Sequence, residues 1–264
     1  NRDWMLVLAG YSDHMKRMFD MNPGFKSRIL VSNIYVFDDF TESDLMEIAE
    51  KYLKRGETVD LSKKKLFLLD LDGTIYLEES LLPGAAEFLA YVRETGGTYR
   101  FLTNNSSRAG IDYITRLRKL GFPCEEKNVF TSGMATAMYL NEKFPGETVY
   151  PVGTPAFLSE LSAYGVPLGD GEDVKVVCVG FDTTLTYEKL DKAVHYLRHG
   201  AAFVAANPDW VCPMPAGEVL PDCGSICALL TAASGAVPKY IGKPNRSMVD
   251  IISSKTGIPN ENIC

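Results

Sequence analysis

The sequence predicts an α/β protein built on a parallel sheet, and three observations carry that prediction. Short, near-continuous apolar runs recur at Leu66–Leu69, Val174–Gly180 and Ala201–Ala205. Runs of that length read as strands buried on both faces, as in parallel sheets. Between them lie segments with apolar residues at helical spacing, several closed by Gly. Polar clusters sit at or just beyond strand ends: Asp70 and Asp72, Thr103-Asn104-Asn105, and Lys243. Open α/β sheets carry their ligands at the carboxyl ends of their strands.

Taken in order, Trp4–Gly10 reads as a buried strand and Asp13–Met21 as a short helix, followed by an Asn22-Pro23-Gly24 turn. Thr41 with Asp44 three residues on resembles a capping box. The helix it opens carries Leu45, Ile48, Ala49 and Leu53 and closes at Lys54-Arg55-Gly56. Residues 58–63 read as a linker. The run at 66–69 is the next strand, expected to end near Leu71, with Gly73 turning the chain and re-aiming Asp72. Pro83-Gly84 opens a helix that stops at Gly96-Gly97. Tyr99–Leu102 is a strand, and Ile111–Leu120 a helix with Gly121 after it. Strand–helix alternation of this kind implies parallel strands joined by right-handed crossovers.

A second α/β block follows. Ser132 is expected to cap a helix through Leu140. Glu147–Val152 is a strand, Pro155–Tyr164 a helix, Val174–Gly180 a strand, Tyr187–Leu197 a helix, and Ala201–Ala205 a strand ending in Asn207-Pro208-Asp209. Ile226–Ala233 is a helix with Gly235 beyond it, and Tyr240–Asn245 leads to a last helix through Ser253. The expected division is therefore 1–57, the linker 58–63, a core in two pieces at 64–130 and 239–264, and an inserted block at 131–238.

Composition narrows the function. The 264 residues are 46% hydrophobic and 23% charged, ordinary for a globular protein. A net charge of −7 argues against bulk attraction to nucleic acid or to an anionic membrane. No apolar run is long enough for a membrane helix, and no secretory leader is visible at the start. The six cysteines are dispersed and read as buried reduced thiols, which points to the cytoplasm. His195 and His199 share a helix face at i, i+4 without a third ligand, so solvated histidines are expected rather than a metal site. Whether the chain forms a homo-oligomer is left open. It begins with Asn1 and stops at Glu261-Asn262-Ile263-Cys264, as an apolar strand starts, so a longer parent protein is expected.

The three strand-end clusters have a shared chemical logic. An aspartate can attack phosphorus to give an acyl-phosphate that water later opens. A second carboxylic acid can protonate the leaving oxygen and then deprotonate that water. A hydroxyl and backbone amides near a helix start hold phosphate oxygens, and a lysine offsets negative charge on nucleophile and phosphoryl group. Two acids facing a phosphate call for Mg²⁺. Asn207 and Asp209 could face the substrate, but an Asx turn around Pro208 explains them equally well.

The motifs DLDGT, FLTNNS and IGKPN, in this order, resemble motifs I, II and III of the haloacid dehalogenase superfamily of phosphohydrolases. The long stretch between the second and third, with GFDTTLTYEKL and NPDWVCP, resembles the type IIA branch with its inserted C2-type cap. The resemblance implies a Rossmann-like parallel core and a Mg²⁺ cofactor. It makes Asp70 the nucleophile and a metal ligand, and Asp72 the acid/base with its carbonyl on the metal. Gly73, Thr103, Asn104 and Asn105 would serve the phosphate and Lys243 neutralise charge. A fourth motif carrying further metal ligands would come just after Cys264, so the chain ending there is expected to be impaired.

A separate resemblance lies at the start. VLAGYSDHMKRMFDMNPGFKSRI followed by FDDFTESDLMEIAEKYLK is similar to the later part of a CbbX-like AAA+ ATPase module. It implies that Arg28 lies where an arginine finger would be. No phosphate-binding G-x-x-x-x-G-K-[ST] pattern occurs in the chain. The expectation is thus a Mg²⁺-dependent phosphomonoesterase acting on a small phosphorylated metabolite. The alternative is a non-enzymatic assembly module that joins an AAA+-like segment to a metabolite-binding domain.

Overall fold

The structure is a computed structural model and describes residues 64–77, 80–214 and 218–264. The AAA+-like segment 1–57, with Arg28, and the linker 58–63 lie outside the described residues. From residue 64 the chain forms β1 (Leu66–Asp70), a small hairpin of β2 (Tyr76–Leu77) and β3 (Ser80–Leu81), α1 (Ala85–Glu94), β4 (Thr98–Thr103), α2 (Gly110–Lys119), β5 (Val129–Thr131) and α3 (Ser132–Lys143). It continues as β6 (Thr148–Val152), α4 (Pro155–Ala163), β7 (Val174–Val179), α5 (Tyr187–Arg198) and β8 (Ala202–Ala205). A hairpin of β9 (Val211–Pro213) and β10 (Val219–Pro221) follows, then α6 (Cys223–Ser234), β11 (Lys239–Tyr240) and α7 (Ser247–Thr256).

Two parallel sheets result, one in the order β1-β4-β5 and one in the order β11-β8-β7-β6. On the free side of β1, Ile263 makes a parallel bridge to Leu66, and the Leu68 N–H donates to the Cys264 carbonyl at 2.8 Å. Ile263 and Cys264 therefore run beside β1, the strand that ends in Asp70, through this isolated bridge and its hydrogen bonds.

Strand alternation sorts the apolar side chains into layers. In β1, Phe67 packs with Leu89 and Val92 of α1 and with Ile114 and Leu117 of α2. Leu66 points the other way, into a cluster that also takes Phe157 of α4, Met248 of α7, and Val176 and Val204 of the second sheet. The opposite face of that sheet, with Val177, Val179 and Phe203, packs on Leu197 of α5 and on Ile226 and Leu230 of α6. Both sheets are thus covered on both faces, which is why their strands read as apolar runs. Burial of a Leu or Val side chain contributes about 1.5–3 kcal/mol. Among the described residues no helix is long and apolar enough to cross a membrane.

The helix starts hold one correction. Ser132 does not cap α3. Thr131 is its N-cap, with Oγ1 accepting the Met134 N–H at 2.9 Å. Two adjacent hydroxyl residues are both competent caps, and the extension of β5 through Thr131 decides between them. Thr154 and Thr186 cap α4 and α5 in the same way. Three short strand pairings were absent from the sequence reading: β5, the β2–β3 hairpin and the β9–β10 hairpin. Each is only two or three residues per strand, below the length at which periodicity shows.

Candidate active site

The carboxyl ends of strands from both sheets converge on Asp70. That residue is the last of β1, and Leu102 of β4 lies beside it in register. Its side chain is half exposed, and Lys243 Nζ stands 2.6 Å from Oδ1. The Leu71 N–H donates to the same oxygen at 3.0 Å. Oδ2 accepts no hydrogen bond from the described residues. Lys243 Nζ also reaches the Leu102 carbonyl at 3.5 Å. Two sequence clusters separated by 173 residues are therefore one ion pair.

Asp72 leaves the strand as expected. The chain turns at Gly73, whose φ of 78° is a left-handed conformation that favours glycine. The Gly73 N–H donates to the Tyr76 carbonyl at 2.9 Å, and the Leu71 carbonyl accepts from Thr74 and Ile75. The Asp72 carbonyl takes no part in these turn bonds, and its side chain is exposed. Burial, and then the Asp72 charge beside it, push the Tyr76 phenol far above its ordinary range. Tyr113 is shifted the same way by burial first and Asp72 second. Arg108, exposed on the loop before α2, lowers both phenols. Burial, and then the charges of Asp222, Asp72 and Asp209, raise the Cys212 thiol. Tyr76, Tyr113, Arg108 and Cys212 carry no motif signal, so sequence reasoning missed them.

The loop after β4 is held from several sides. Thr103 is almost fully buried, and its Oγ1 accepts the Asn105 N–H at 3.1 Å. Asn105 Oδ1 accepts from the Ser107 N–H and hydroxyl, an Asx turn that occupies this oxygen. Asn104 uses its carboxamide on the Lys243 backbone and on Asp209. Ser132, freed from capping, donates its hydroxyl to the Asn104 carbonyl at 2.8 Å.

Asn207 is bonded at both ends of its carboxamide inside the protein. It is fully buried. Its Oδ1 accepts from Ser106 Oγ at 2.7 Å, and its Nδ2 donates to Asp209 Oδ2 at 2.8 Å and Asp222 Oδ1 at 3.0 Å. Asp209 is half-buried and bound through the same Oδ2 to Asn104. A second buried acid, Glu160 of α4, accepts from the Gly110 N–H at 2.6 Å and from Thr131 Oγ1 at 2.7 Å. It ties the start of α2 to the start of α3, and burial raises its pKa. A cleft of about 310 Å³ at the opposite edge of the first sheet, beside Arg93, Thr98, Arg100 and Lys127, contains none of the motif residues.

The donor set at Asp70 and Asp72 suits a hard divalent cation: two carboxylates with oxygens open to solvent and a carbonyl free of turn bonds. Among the described residues no cluster of three His, Cys, Asp or Glu surrounds a common point.

Comparison with known proteins adds the following. The sequence pattern of the haloacid dehalogenase-like hydrolases matches residues 67–167. The acid sugar phosphatase of Staphylococcus saprophyticus is 37% identical over 180 residues, covering 68% of this chain and 69% of that protein. The crystal structure of a 4-nitrophenylphosphatase from Thermotoga maritima superposes with a TM-score of 0.74 at 43% identity, covering 77% of each chain. A glycerol phosphate phosphatase from Mycobacterium tuberculosis, in complex with magnesium, superposes with a TM-score of 0.69 at 32% identity, covering 75% of this chain and 60% of that one.

Proposed function

The chain belongs to the haloacid dehalogenase-like hydrolases and is a phosphatase, and from that premise we propose that it hydrolyses a small phosphorylated metabolite through an aspartyl-phosphate on Asp70, with Mg²⁺ as cofactor. One observation carries the reading: Lys243 Nζ lies 2.6 Å from Asp70 Oδ1 at the edge where both sheets end. That contact orients the carboxylate and leaves Oδ2 for attack. In the first step Asp70 Oδ2 bonds to phosphorus, and the bond from phosphorus to the leaving oxygen breaks. Asp72 gives that oxygen its proton. In the second step water attacks phosphorus, Asp72 takes the water proton, and the acyl-phosphate bond breaks to free Asp70 and inorganic phosphate. Lys243 faces negative charge in both steps. Asp70 and Asp72 would hold the Mg²⁺, which supplies charge neutralisation at the phosphoryl oxygens. Thr103 would offer its hydroxyl hydrogen and Asn104 its backbone N–H to the phosphate, whereas the Gly73 and Asn105 N–H groups already donate to the Tyr76 carbonyl and to Thr103 Oγ1.

In this reading β6, β7 and β8 of the second sheet and their helices, within residues 131–238, act as the C2-type cap, although β11 at Lys239–Tyr240, beyond that boundary, completes the same sheet, and the β9–β10 hairpin forms a wall of the substrate space. Relatives named for acid sugar, nitrophenyl and glycerol phosphate support a small phosphomonoester as substrate. The enzymatic reading takes precedence over the assembly-module alternative because these relatives are phosphatases.

The test is release of p-nitrophenol from p-nitrophenyl phosphate by the C-terminally complete protein, with the metal ligands expected after Cys264 in place. Activity is expected with Mg²⁺, lost with EDTA and restored by added Mg²⁺. Asp70→Asn is expected to lower kcat by roughly 10⁴-fold or more, the scale on which loss of a nucleophile acts. Substantial turnover by Asp70→Asn would overturn the mechanism.

A further inference from the structure

The Asn104 carboxamide meets the Lys243 backbone with both of its ends. Oδ1 accepts from the Lys243 N–H at 2.8 Å, and Nδ2 donates to the Lys243 carbonyl at 2.9 Å. The second Nδ2 hydrogen goes to Asp209 Oδ2 at 2.8 Å. Both donors of the carboxamide are therefore used, and its acceptor is occupied. The two-point contact copies the pairing of neighbouring strands and leaves the side chain no rotational freedom.

The preceding residue is held as closely from the other side. The Gly242 N–H donates to the Ala206 carbonyl at 2.8 Å. A Cβ at Gly242 would come within 2.6 Å of Asn104 Oδ1 and 2.7 Å of the Ala206 carbonyl oxygen. The anchor of Asn104 is itself anchored, since Asp209 is bound by the buried Asn207, which also binds Ser106 and Asp222. A continuous run of hydrogen bonds thus leads from Asp222 at the start of α6, through Asn207, Asp209 and Asn104, to Lys243.

We propose that the Asn104 side chain is the positioning residue of Lys243: anchored on Asp209, it fixes the Lys243 backbone so that the amine meets Asp70. The catalytic consequence rests on the phosphatase reading above, while the positioning itself is a property of the fold. The lysine stem is long and flexible, so its amine stays at one carboxylate oxygen only if the stem starts from a fixed point. Aspartate at 104 would lack both donors and set a second carboxylate against Asp209. Glutamine would add a methylene in a space already filled by the 242–243 backbone.

The experiment is trace acylation of the full chain with acetic anhydride, with Lys243 compared by mass spectrometry with Lys239 and Lys255. In the wild type Lys243 is expected to react slowly, because its side chain is only 34% exposed and lies against Asp70. In Asn104→Ala its modification is expected to rise several-fold relative to the two reference lysines. The kcat for p-nitrophenyl phosphate is expected to fall roughly 10²-fold, the cost of a displacement of about 1 Å at a reacting group, with a smaller change in KM. Asp209→Ala keeps the clamp but removes its anchor, so a smaller rise in the same direction is expected; this variant decides the matter if Asn104→Ala does not fold. Unchanged Lys243 labelling in the folded variant would overturn the proposal. Inactivity of the C-terminally complete wild-type protein would count against the phosphatase reading and leave the labelling result standing.

Discussion

Asn207 separates the two ways its position can be read. A substrate-facing Asn207 would leave stability untouched on truncation and raise KM. The structure instead gives it three buried or half-buried partners, and Asn207→Ala removes all three bonds at once. Ser106 loses an acceptor but still accepts from the Phe181 N–H, a neutral loss of about 1 kcal/mol. Asp209 keeps its bond from Asn104, so its loss is again about 1 kcal/mol. Asp222 is 4% exposed and, among the described residues, retains only the Cys223 N–H, so its charge-assisted bond counts for about 2 kcal/mol. The expected loss is about 4 kcal/mol, a large share of the 5–15 kcal/mol that stabilises a typical domain. At about 2–4 °C per kcal/mol this lowers Tm by about 10 °C. Urea and thermal unfolding of the wild type and variant measure it, alongside KM for p-nitrophenyl phosphate. A stability loss below about 1 kcal/mol, well under the sum expected from the three bonds, together with a raised KM, would refute the scaffold assignment.

Two further outcomes are expected. Burial raises the Glu160 pKa above its unfolded value, so the folded state holds that proton more tightly. Its contribution to stability is full below the unfolded carboxyl value and is lost as pH rises through the folded pKa. Glu160→Gln, neutral at every pH, is therefore expected to flatten the fall in stability across that window; an unchanged pH dependence of urea midpoints would contradict the assignment. Gly242→Ala forces a Cβ against a backbone oxygen, so a destabilisation of about 1–3 kcal/mol is expected. Thermal denaturation checks it, and an unchanged Tm would show that the 242–243 backbone is not pinned as described.

Much of the site was legible in the sequence because it is local. The apolar run ending in Asp70, the glycine that turns the chain to re-aim Asp72, and the helices with their glycine stops are all written within a few residues. Where two local signals competed, the sequence could not choose between them. Thr131 and Ser132 are both good caps, and only the pairing of β5 with β4 settled which hydroxyl caps α3 and which holds the Asn104 carbonyl. The Asx residues around Pro208 were ambiguous for the same reason.

By itself the sequence determined the fold class, the positions of the strands with chemical groups at their ends, and, through motif resemblance, the reaction class. The AAA+-like reading of residues 1–57 rests on sequence alone. Tertiary structure decided what each polar side chain is used for. Asn104 and Lys243 are 139 residues apart, and Asn207 and Ser106 are 101 apart. No periodicity or turn rule spans such distances. Whether a carboxamide meets a substrate or a backbone depends on which strand ends the packed sheets bring together, and that follows from burying apolar faces far from the site.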